Sequence, residues 1–294
     1  MNLEEGGVLT EALPYIKEFR GSIVVVKVGG HVMADPKNME EIAKDVVLLH
    51  QIGIMPIIVH GGGPEITREM KKRGKKPEFI AGLRVTDDDT LKITEVVLIE
   101  NVNKCIVSLI EKHGAKGAGL SGKDGKLITA KKKSPQRVVV EGAEQEVDLG
   151  WVGEIASINP EILVKAIEEG RIPVIAPVAV DAQGNSLNVN ADTAAGDIAA
   201  ALHAKKFIIL TDVPGILENT SDPKSTISQL SINEARALVQ KGTIQKGMIP
   251  KVEACIHALE KPVEKVHILD GSRPHALLLE LFTGKGIGTM IYKG

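Results

Sequence analysis

The chain has 294 residues, 43% of them hydrophobic and 25% charged, with a formal net charge of −2 at pH 7. This length predicts two domains or one large α/β unit, and the near-neutral charge gives no reason to expect a nucleic acid or an anionic membrane as partner. Cys105 and Cys255 lack CxxC or metal-type spacing, so we expect two reduced thiols. The sequence has no apolar run of about 18 residues and no signal-peptide core, which predicts a cytoplasmic protein.

Residues 1–20 are predicted to form a short amphipathic helix that Pro14 breaks or kinks. Its apolar stripe consists of Leu9, Ala12, Leu13, Ile16 and Phe19. The helix either packs on its own domain or crosses to another subunit.

The next segment begins with a β–α–β unit. Ser22–Val28 and Ile54–His60 are continuous apolar runs, typical of strands buried on both faces of a parallel sheet. Between them, apolar residues recur at helical spacing from Met39 to Val47. We predict a long helix over Asp87–His113 and small strands and hairpins over Ala115–Ser157. Turns are expected at Asp124-Gly125 and Glu141-Gly142.

The remaining chain alternates strands with helices, which indicates a mainly parallel sheet covered on both sides. The predicted helices are Asn159–Gly170, Asp192–Ala204, Ser231–Lys241, Ile249–Glu260 and Pro274–Thr283, and the predicted strands are Ile172–Val178, Phe207–Asp212, Val263–Asp270 and Gly288–Tyr292. We place a seam near Ala179, giving lobes of residues 21–179 and 180–294.

Two glycine-rich loops follow the first two strands. Gly29 and Gly30 follow Lys27, and Gly61–Gly63 precede Pro64. Ligands bind open α/β sheets at the carboxyl ends of strands, and glycine lets backbone N–H groups approach an anion. The loops therefore favour phosphate or carboxylate, although each alone is also compatible with a tight turn. A lysine inside a buried strand needs a counter-charge unless it reaches solvent.

One tempting motif is rejected. Gly117–Asp124 reads GAGLSGKD, which lacks the hydroxyl residue that closes a P-loop and runs into a strand instead of opening a helix.

A polar segment, NVNAD, precedes the helix that begins near Asp192. Asp192 is either the N-cap of that helix or a functional carboxylate. Asn188 and Asn190 lie on the same side of an extended segment, which suits a polar ligand. Lys251 begins another helix, where its charge opposes the helix dipole and indicates an anion nearby.

Together these segments resemble the amino acid kinase family. The six motifs, in family order, are KVGG (27–30), IIVHGGGPEI (57–66), GLRVTD (82–87), NVNADTAAGDIA (188–199), LTDVPGIL (210–217) and GMIPK (247–251). The resemblance implies an α/β fold, a three-layer αβα sandwich around a mainly parallel sheet of about eight strands. The N-terminal lobe would bind the acyl acceptor, and the C-terminal lobe ATP with Mg²⁺. The implied reaction transfers the γ-phosphoryl group to the side-chain carboxylate of N-acetyl-L-glutamate in arginine biosynthesis.

The same resemblance assigns roles to individual residues. It gives Lys27, Lys251 and Asp192 catalytic roles, with Asp192 holding the two lysines. It assigns substrate binding to Gly62, Gly63, Arg84 and Asn188. It assigns ATP binding to Gly29, Gly30, Thr211, Asp212, Gly215, Gly247 and Met248. We expect no metal site built from protein residues, and we interpret His60 as a strand-end residue, not a base.

The N-terminal extension also resembles that of family members that arginine inhibits, in which it joins dimers into a hexamer. A site for L-arginine would then include Tyr15, Lys206, His275 and Glu280, near the Gly286–Gly288 loop.

Two alternatives remain open on the sequence alone. One is a kinase of the same fold that acts on a carrier-linked aminoadipate or glutamate in lysine biosynthesis. The other is a non-catalytic amino-acid sensor, against which Lys27, Asp192 and Lys251 are all present.

Overall fold

The computed structural model describes residues 10–80, 82–140, 143–219, 221–244, 247–284 and 286–294, with the backbone alone for 137–140 and 143–145. The strands are β1 (Ile23–Val28), β2 (Met55–His60), β3 (Phe79–Ile80), β4 (Leu83–Arg84), β5 (Lys116–Ser121), β6 (Ile128–Lys132), β7 (Gln136–Val140), β8 (Ala143–Val147), β9 (Gly153–Ile158), β10 (Arg171–Ala176), β11 (Val178–Val180), β12 (Ser186–Asn188), β13 (Lys206–Thr211), β14 (Gln229–Ser231), β15 (Lys265–Asp270) and β16 (Thr289–Tyr292). The α-helices are α1 (Leu13–Phe19), α2 (Gly30–Met33), α3 (Pro36–Gln51), α4 (Gly63–Lys72), α5 (Asp88–Glu95), α6 (Lys104–Lys112), α7 (Glu161–Glu168), α8 (Ala191–Ala201), α9 (Ile232–Gln240), α10 (Ile249–Glu260) and α11 (Ala276–Phe282).

The aliphatic strands lie side by side in one eight-stranded sheet, in the order β14-β16-β15-β13-β1-β2-β10-β5. Every neighbouring pair is parallel except β15 and β16. Strand β1 is central, with β2 on one side and β13 on the other. The sheet therefore joins both halves of the chain, and the predicted α/β class is confirmed.

Alternate residues of β1 enter opposite layers of the core, as the two-residue period of a strand requires. Val25 packs in a cluster with residues of α8 and α10. Val24 and Val26 pack in a second cluster with residues of α3, α6 and α11. Helices therefore cover both faces of the sheet, which gives the predicted three-layer sandwich.

The N-terminal helix packs partly on its own chain. Phe19 is buried in the second cluster, whereas Leu13 is 49% exposed. Pro14 lies in the first turn of α1, and the helical stretch is interrupted at Ala12. Leu9 lies outside the described residues.

The predicted long helix consists of α5, a π-helical segment (Val96–Asn103) and α6 in direct succession. The π-helical segment was not predicted from the sequence. Small strands follow, with β12, β11, β6 and β9 forming a second sheet. The segment rejected as a P-loop is β5 followed by a 3₁₀ turn (Asp124–Lys126) and β6. The predicted Glu141-Gly142 turn lies outside the described residues.

The predicted seam at Ala179 falls inside β11. The division into an N-terminal helix and two lobes stays a proposal. Among the helices that the structure describes, none has the length and apolar character required to cross a membrane.

Candidate active site

The two glycine loops meet where β1 and β2 end. A Cβ atom on Gly30 would lie 2.5 Å from Pro64 Cδ, and one on Gly61 would lie 3.3 Å from Gly30 N. Pro64 is in the first turn of α4, where its missing N–H costs no helical hydrogen bond. Glycine at these positions therefore lets one loop lie directly against the other.

The remaining glycines of the triple have different surroundings. A Cβ on Gly62 would clash with Leu98, whereas a Cβ on Gly63 would meet nothing within 4 Å. Packing against Leu98 limits the space beside Gly62, whereas the space beside Gly63 is open. The amides of Gly30, Gly62 and Gly63 have no acceptor among the described residues. The loops thus present free N–H donors, as in anion-binding sites.

A buried lysine–aspartate–lysine cluster lies beside these loops. Lys27 Nζ is 2.8 Å from Asp192 Oδ1, and Lys251 Nζ is 3.4 Å from Asp192 Oδ2. The Lys27 and Asp192 side chains are 6% and 7% exposed, and that of Lys251 is 19% exposed. Two ammonium groups and one carboxylate leave one surplus positive charge. The cluster is therefore a place where an anion is stabilised.

The protonation state of Asp192 follows from its partners. Burial raises its pKa, but Lys27 and Lys251 more than offset this effect, so the pKa lies below its usual value. Asn190, not Asp192, caps α8: its Oδ1 accepts hydrogen bonds from the backbone N–H groups of Asp192 and Thr193. The carboxylate is therefore free for the lysines, while the side-chain oxygen of Asn190 serves the helix cap.

A cleft of about 570 Å³ adjoins the triple glycine. Arg84 and Gly63 line it with the cationic side chains Arg68 and Lys71. Arg84 is buried, and its Nη2 donates to Gly63 O at 2.9 Å and to Thr67 Oγ1 at 2.8 Å. Burial lowers its pKa, and no carboxylate among the described residues pairs with it. An unpaired buried guanidinium suits a carboxylate ligand.

Asn188, to which the resemblance assigns substrate binding, is the last residue of β12 and does not line this cleft. Its Nδ2 donates to Thr86 Oγ1 at 3.2 Å.

A second cleft, of about 390 Å³, lies at the end of β13. Five of the seven residues predicted to bind ATP line it, together with Lys251: Thr211, Asp212, Gly215, Gly247 and Met248. The other two, Gly29 and Gly30, do not line it but lie at the end of β1, where a Cβ on Gly29 would be 3.8 Å from Lys27 Nζ. His31 lines both clefts, a role that the sequence did not reveal.

His60 is fully buried at the end of β2. Burial lowers its pKa to about 4, so the imidazole is neutral at pH 7. It faces Gly61 O and Asn103, not the clefts, in agreement with its interpretation as a strand-end residue.

Three of the four residues assigned to an arginine site, Tyr15, Lys206 and Glu280, line one cavity of about 250 Å³. The fourth, His275, lies elsewhere, with its Nδ1 2.7 Å from Asp45 Oδ1, so its assignment is wrong. The histidine of this cavity is His267, whose Nε2 is 2.8 Å from Glu280 Oε1. A histidine inside the buried strand β15 was the signal that could have found it.

The sandwich, the glycine loops and the buried lysine–aspartate–lysine cluster are the features of a protein that transfers a phosphoryl group. The chain belongs to the amino acid kinase family, whose sequence pattern matches residues 22–270. An acetylglutamate kinase from Methanococcoides burtonii is 56% identical, over 97% of this chain and 94% of that protein. An N-acetylglutamate synthase from Neisseria gonorrhoeae, solved with coenzyme A and N-acetyl-glutamate, is 28% identical with a TM-score of 0.83. The same synthase, solved with coenzyme A and L-arginine, gives a TM-score of 0.78 at 27% identity. The alignments cover 98% of this chain but 63% and 65% of the synthase chains, so the chain spans less than two thirds of that enzyme.

Proposed function

We propose that this protein is an ATP-dependent kinase that phosphorylates the side-chain carboxylate of N-acetyl-L-glutamate, giving N-acetylglutamyl 5-phosphate for arginine biosynthesis. The observation that carries the proposal is the buried cluster of Lys27, Asp192 and Lys251, which lies beside the glycine loops and whose Lys251 lines the second cleft. The full-length similarity to an acetylglutamate kinase supports the choice of acceptor.

The proposed chemistry needs no general base. A side-chain carboxylate with a pKa of about 4.3 is already ionised at neutral pH. One of its oxygens forms a bond to the γ-phosphorus, the bond from that phosphorus to the β,γ-bridging oxygen breaks, and ADP leaves with the electron pair. No proton moves, so the enzyme's task is to position two anions and stabilise charge on the phosphoryl group.

The cluster suits that task. Lys27 faces the glycine loops, and Lys251 lines the second cleft, the proposed nucleotide cleft. Their ammonium groups can therefore contact the transferred phosphoryl group from two sides. Asp192 fixes both lysines and leaves one positive charge uncompensated. The amides of Gly30, Gly62 and Gly63 add hydrogen-bond donors. These groups stabilise negative charge without reorganising during the reaction.

We propose that Arg84 binds a substrate carboxylate, because its guanidinium is buried without a carboxylate partner among the described residues. Asn188 does not line this cleft, so its proposed contact with substrate would use the side-chain oxygen that its hydrogen bond to Thr86 leaves available.

We propose that Mg²⁺ enters with ATP. The described residues include no group of three or more His, Cys, Asp or Glu side chains arranged to hold a metal ion. Mg²⁺ in kinases is commonly bound through the nucleotide phosphates and one or two carboxylates, and Asp212 in the nucleotide cleft fits that role. The ion would neutralise phosphate charge.

The direct test is ATP-dependent turnover of N-acetyl-L-glutamate with Mg²⁺, with the acyl phosphate trapped by hydroxylamine. Glutamate, aspartate, carbamate and N-acetyl-aminoadipate serve as matched acceptors. We expect turnover selective for N-acetyl-L-glutamate. Activity only with a carrier-linked acid, or with none, would contradict the proposal; no observation on the described residues favours those alternatives.

We further propose that L-arginine inhibits the enzyme from the cavity of Tyr15, Lys206 and Glu280. Glu280 Oε1 lies 3.6 Å from Lys206 Nζ, so this buried pair offers a carboxylate to a cationic ligand group and an ammonium group to a ligand carboxylate. His267 Nδ1 is buried without a hydrogen-bond partner among the described residues. Glu280→Gln should weaken inhibition strongly, whereas His275→Ala, in a different cavity, should not. Equal inhibition of both variants would refute this assignment.

We also propose that the chain forms a homo-oligomer, a dimer or a hexamer, in which α1 reaches a second subunit through the exposed Leu13. Light scattering of the wild type and of Leu13→Asp would test it, since the variant should lose the larger assembly. The cytoplasmic location stays a prediction.

A further inference from the structure

The π-helical segment places two side chains against the triple-glycine loop. Hydrogen bonds in a π-helix join residues five apart, so such residues lie above one another, whereas an α-helix stacks residues four apart. Leu98 and Asn103 are separated by five residues. Leu98 fills the position that a Cβ on Gly62 would occupy, and Asn103 Nδ2 lies 3.2 Å from His60 Nε2. The wide turn therefore lets Leu98 face Gly62 of the loop while Asn103 faces His60, the residue just before it.

Asn103 is firmly held beneath the sheet. It is 3% exposed, and its Nδ2 also lies 2.9 Å from Val174 O and 3.2 Å from Leu120 O. An amide nitrogen carries only donors. Its two hydrogens serve two of these three neighbours at a time. His60 Nδ1 lies 2.8 Å from the carbonyl oxygen of Gly61 and must carry the proton to donate there, so Nε2 of the neutral ring is left as an acceptor that faces Asn103. This fixes the tautomer with the proton on Nδ1.

The Nδ1–H of His60 then donates to Gly61 O, 2.8 Å away. Gly61 N–H donates to Val28 O at 2.9 Å, so Gly61 is held at both its N–H and its carbonyl. In a trans peptide the N–H of the next residue points opposite to the carbonyl oxygen. Holding Gly61 O on the buried side therefore turns the Gly62 N–H, which has no acceptor among the described residues, away from the core.

We infer that His60 and Asn103 are positioning residues that aim the Gly62 amide at the transferred phosphoryl group. The inference rests on the proposed kinase function. Neither side chain touches the ligand; both act through the orientation of one peptide plane. His60 is suited to this role because it stays neutral at pH 7.

Two variants of the histidine form a matched pair. His60→Leu keeps the apolar volume but removes the donor to Gly61 O, whereas the side-chain amide of His60→Asn can occupy the place of Nδ1–H. We expect His60→Leu to lower kcat by about 10²-fold, as a misdirected catalytic donor does, with little change in the KM for ATP. His60→Asn should recover most of that loss. Equal losses of kcat in both variants would overturn the inference.

Nitrogen-15 NMR of labelled histidine tests the geometry without substrate. We expect wild-type His60 as the Nδ1–H tautomer, and Asn103→Ala should allow the Nε2–H tautomer to appear while kcat falls. If His60→Leu does not fold, Asn103→Ala supplies the kinetic test. An Nε2–H tautomer in the wild type, or full kcat in Asn103→Ala, would refute the inference. Failure of the wild type to use N-acetyl-L-glutamate would instead refute the proposed function, and the histidine spectrum would still decide the hydrogen-bond chain.

Discussion

Removing the negative charge of Asp192 tests how much the cluster of Lys27, Asp192 and Lys251 contributes to the free energy of unfolding and to kcat. In Asp192→Asn, the amide keeps the size of the carboxylate but leaves two ammonium groups without their counter-charge. At an effective dielectric constant of about 20, Coulomb's law gives a gross attraction of about 6 kcal/mol at the 2.8 Å separation from Lys27. Desolvation offsets much of this attraction, and removing one partner of a buried pair typically costs about 3–5 kcal/mol.

The same helix offers a matched control. Asp197 of α8 is also buried and lies 2.9 Å from Lys261 Nζ, but the Lys261 side chain is 44% exposed. Asp197 Oδ1 also lies 2.8 Å from His257 Nε2, and the His257 side chain is 47% exposed. Solvent screens both partners, so we expect Asp197→Asn to cost about 1 kcal/mol or less. It should leave kcat unchanged, whereas Asp192→Asn should lower kcat by about 10²-fold or more because the lysines lose their positions.

Chemical denaturation of Lys27→Met, Asp192→Asn, Asp197→Asn and the double variant Lys27→Met/Asp192→Asn measures these free energies of unfolding. The double variant should be more stable than the sum of its two single changes predicts, because it removes both members of the closest buried pair. Additive losses, or equal losses for Asp192→Asn and Asp197→Asn, would refute the assignment of a tightly coupled buried cluster.

Three further predictions concern other parts of the chain. Arg84→Lys keeps the charge but loses the bidentate geometry, so the KM for N-acetyl-L-glutamate should rise about tenfold or more while the KM for ATP stays constant in steady-state assays. Gly63→Ala should change the free energy of unfolding by less than about 0.5 kcal/mol, because nothing lies within 4 Å of the added Cβ, yet should lower kcat if the ligand occupies that space. Burial raises the pKa of Asp45 to about 6. The hydrogen bond between His275 and Asp45 raises the pKa of His275. Both groups bind more protons in the folded state, so the stability that these two groups contribute should fall as pH rises from about 4 through the raised pKa of His275. Asp45→Asn should weaken this dependence in thermal unfolding across that range, and an unchanged pH profile would contradict it.

The strands and loops that build the site could be predicted from the sequence because their signals are local. Ser22–Val28 and Ile54–His60 are uninterrupted aliphatic runs that end in glycines, and β1 and β2 occupy almost those residues. Parallel neighbours bring their carboxyl ends to one edge of the sheet, so the meeting of the two loops followed from the fold class.

Other details depend on distant parts of the chain and could not be predicted. Asn and Asp are about equally good N-caps, so the choice of Asn190 over Asp192 depends on where Lys27 and Lys251 lie. The π segment has no local sequence signal. His267 and His275 differ in whether they face Glu280, which is decided by the packing of β15 against α11.

The central place of β1 also has a consequence for the nascent chain. Its partner β13 begins at Lys206, roughly 180 residues after β1 ends, which corresponds to about 10–40 s of synthesis. During that interval one side of β1 has no partner strand. Apart from Lys27, all five other residues of β1 are aliphatic. Natural proteins discourage unwanted pairing of such edges with an inward-pointing charge. Lys27 is such a charge, so we expect the residue proposed to act in phosphoryl transfer also to disfavour aggregation of this strand before the sheet is complete.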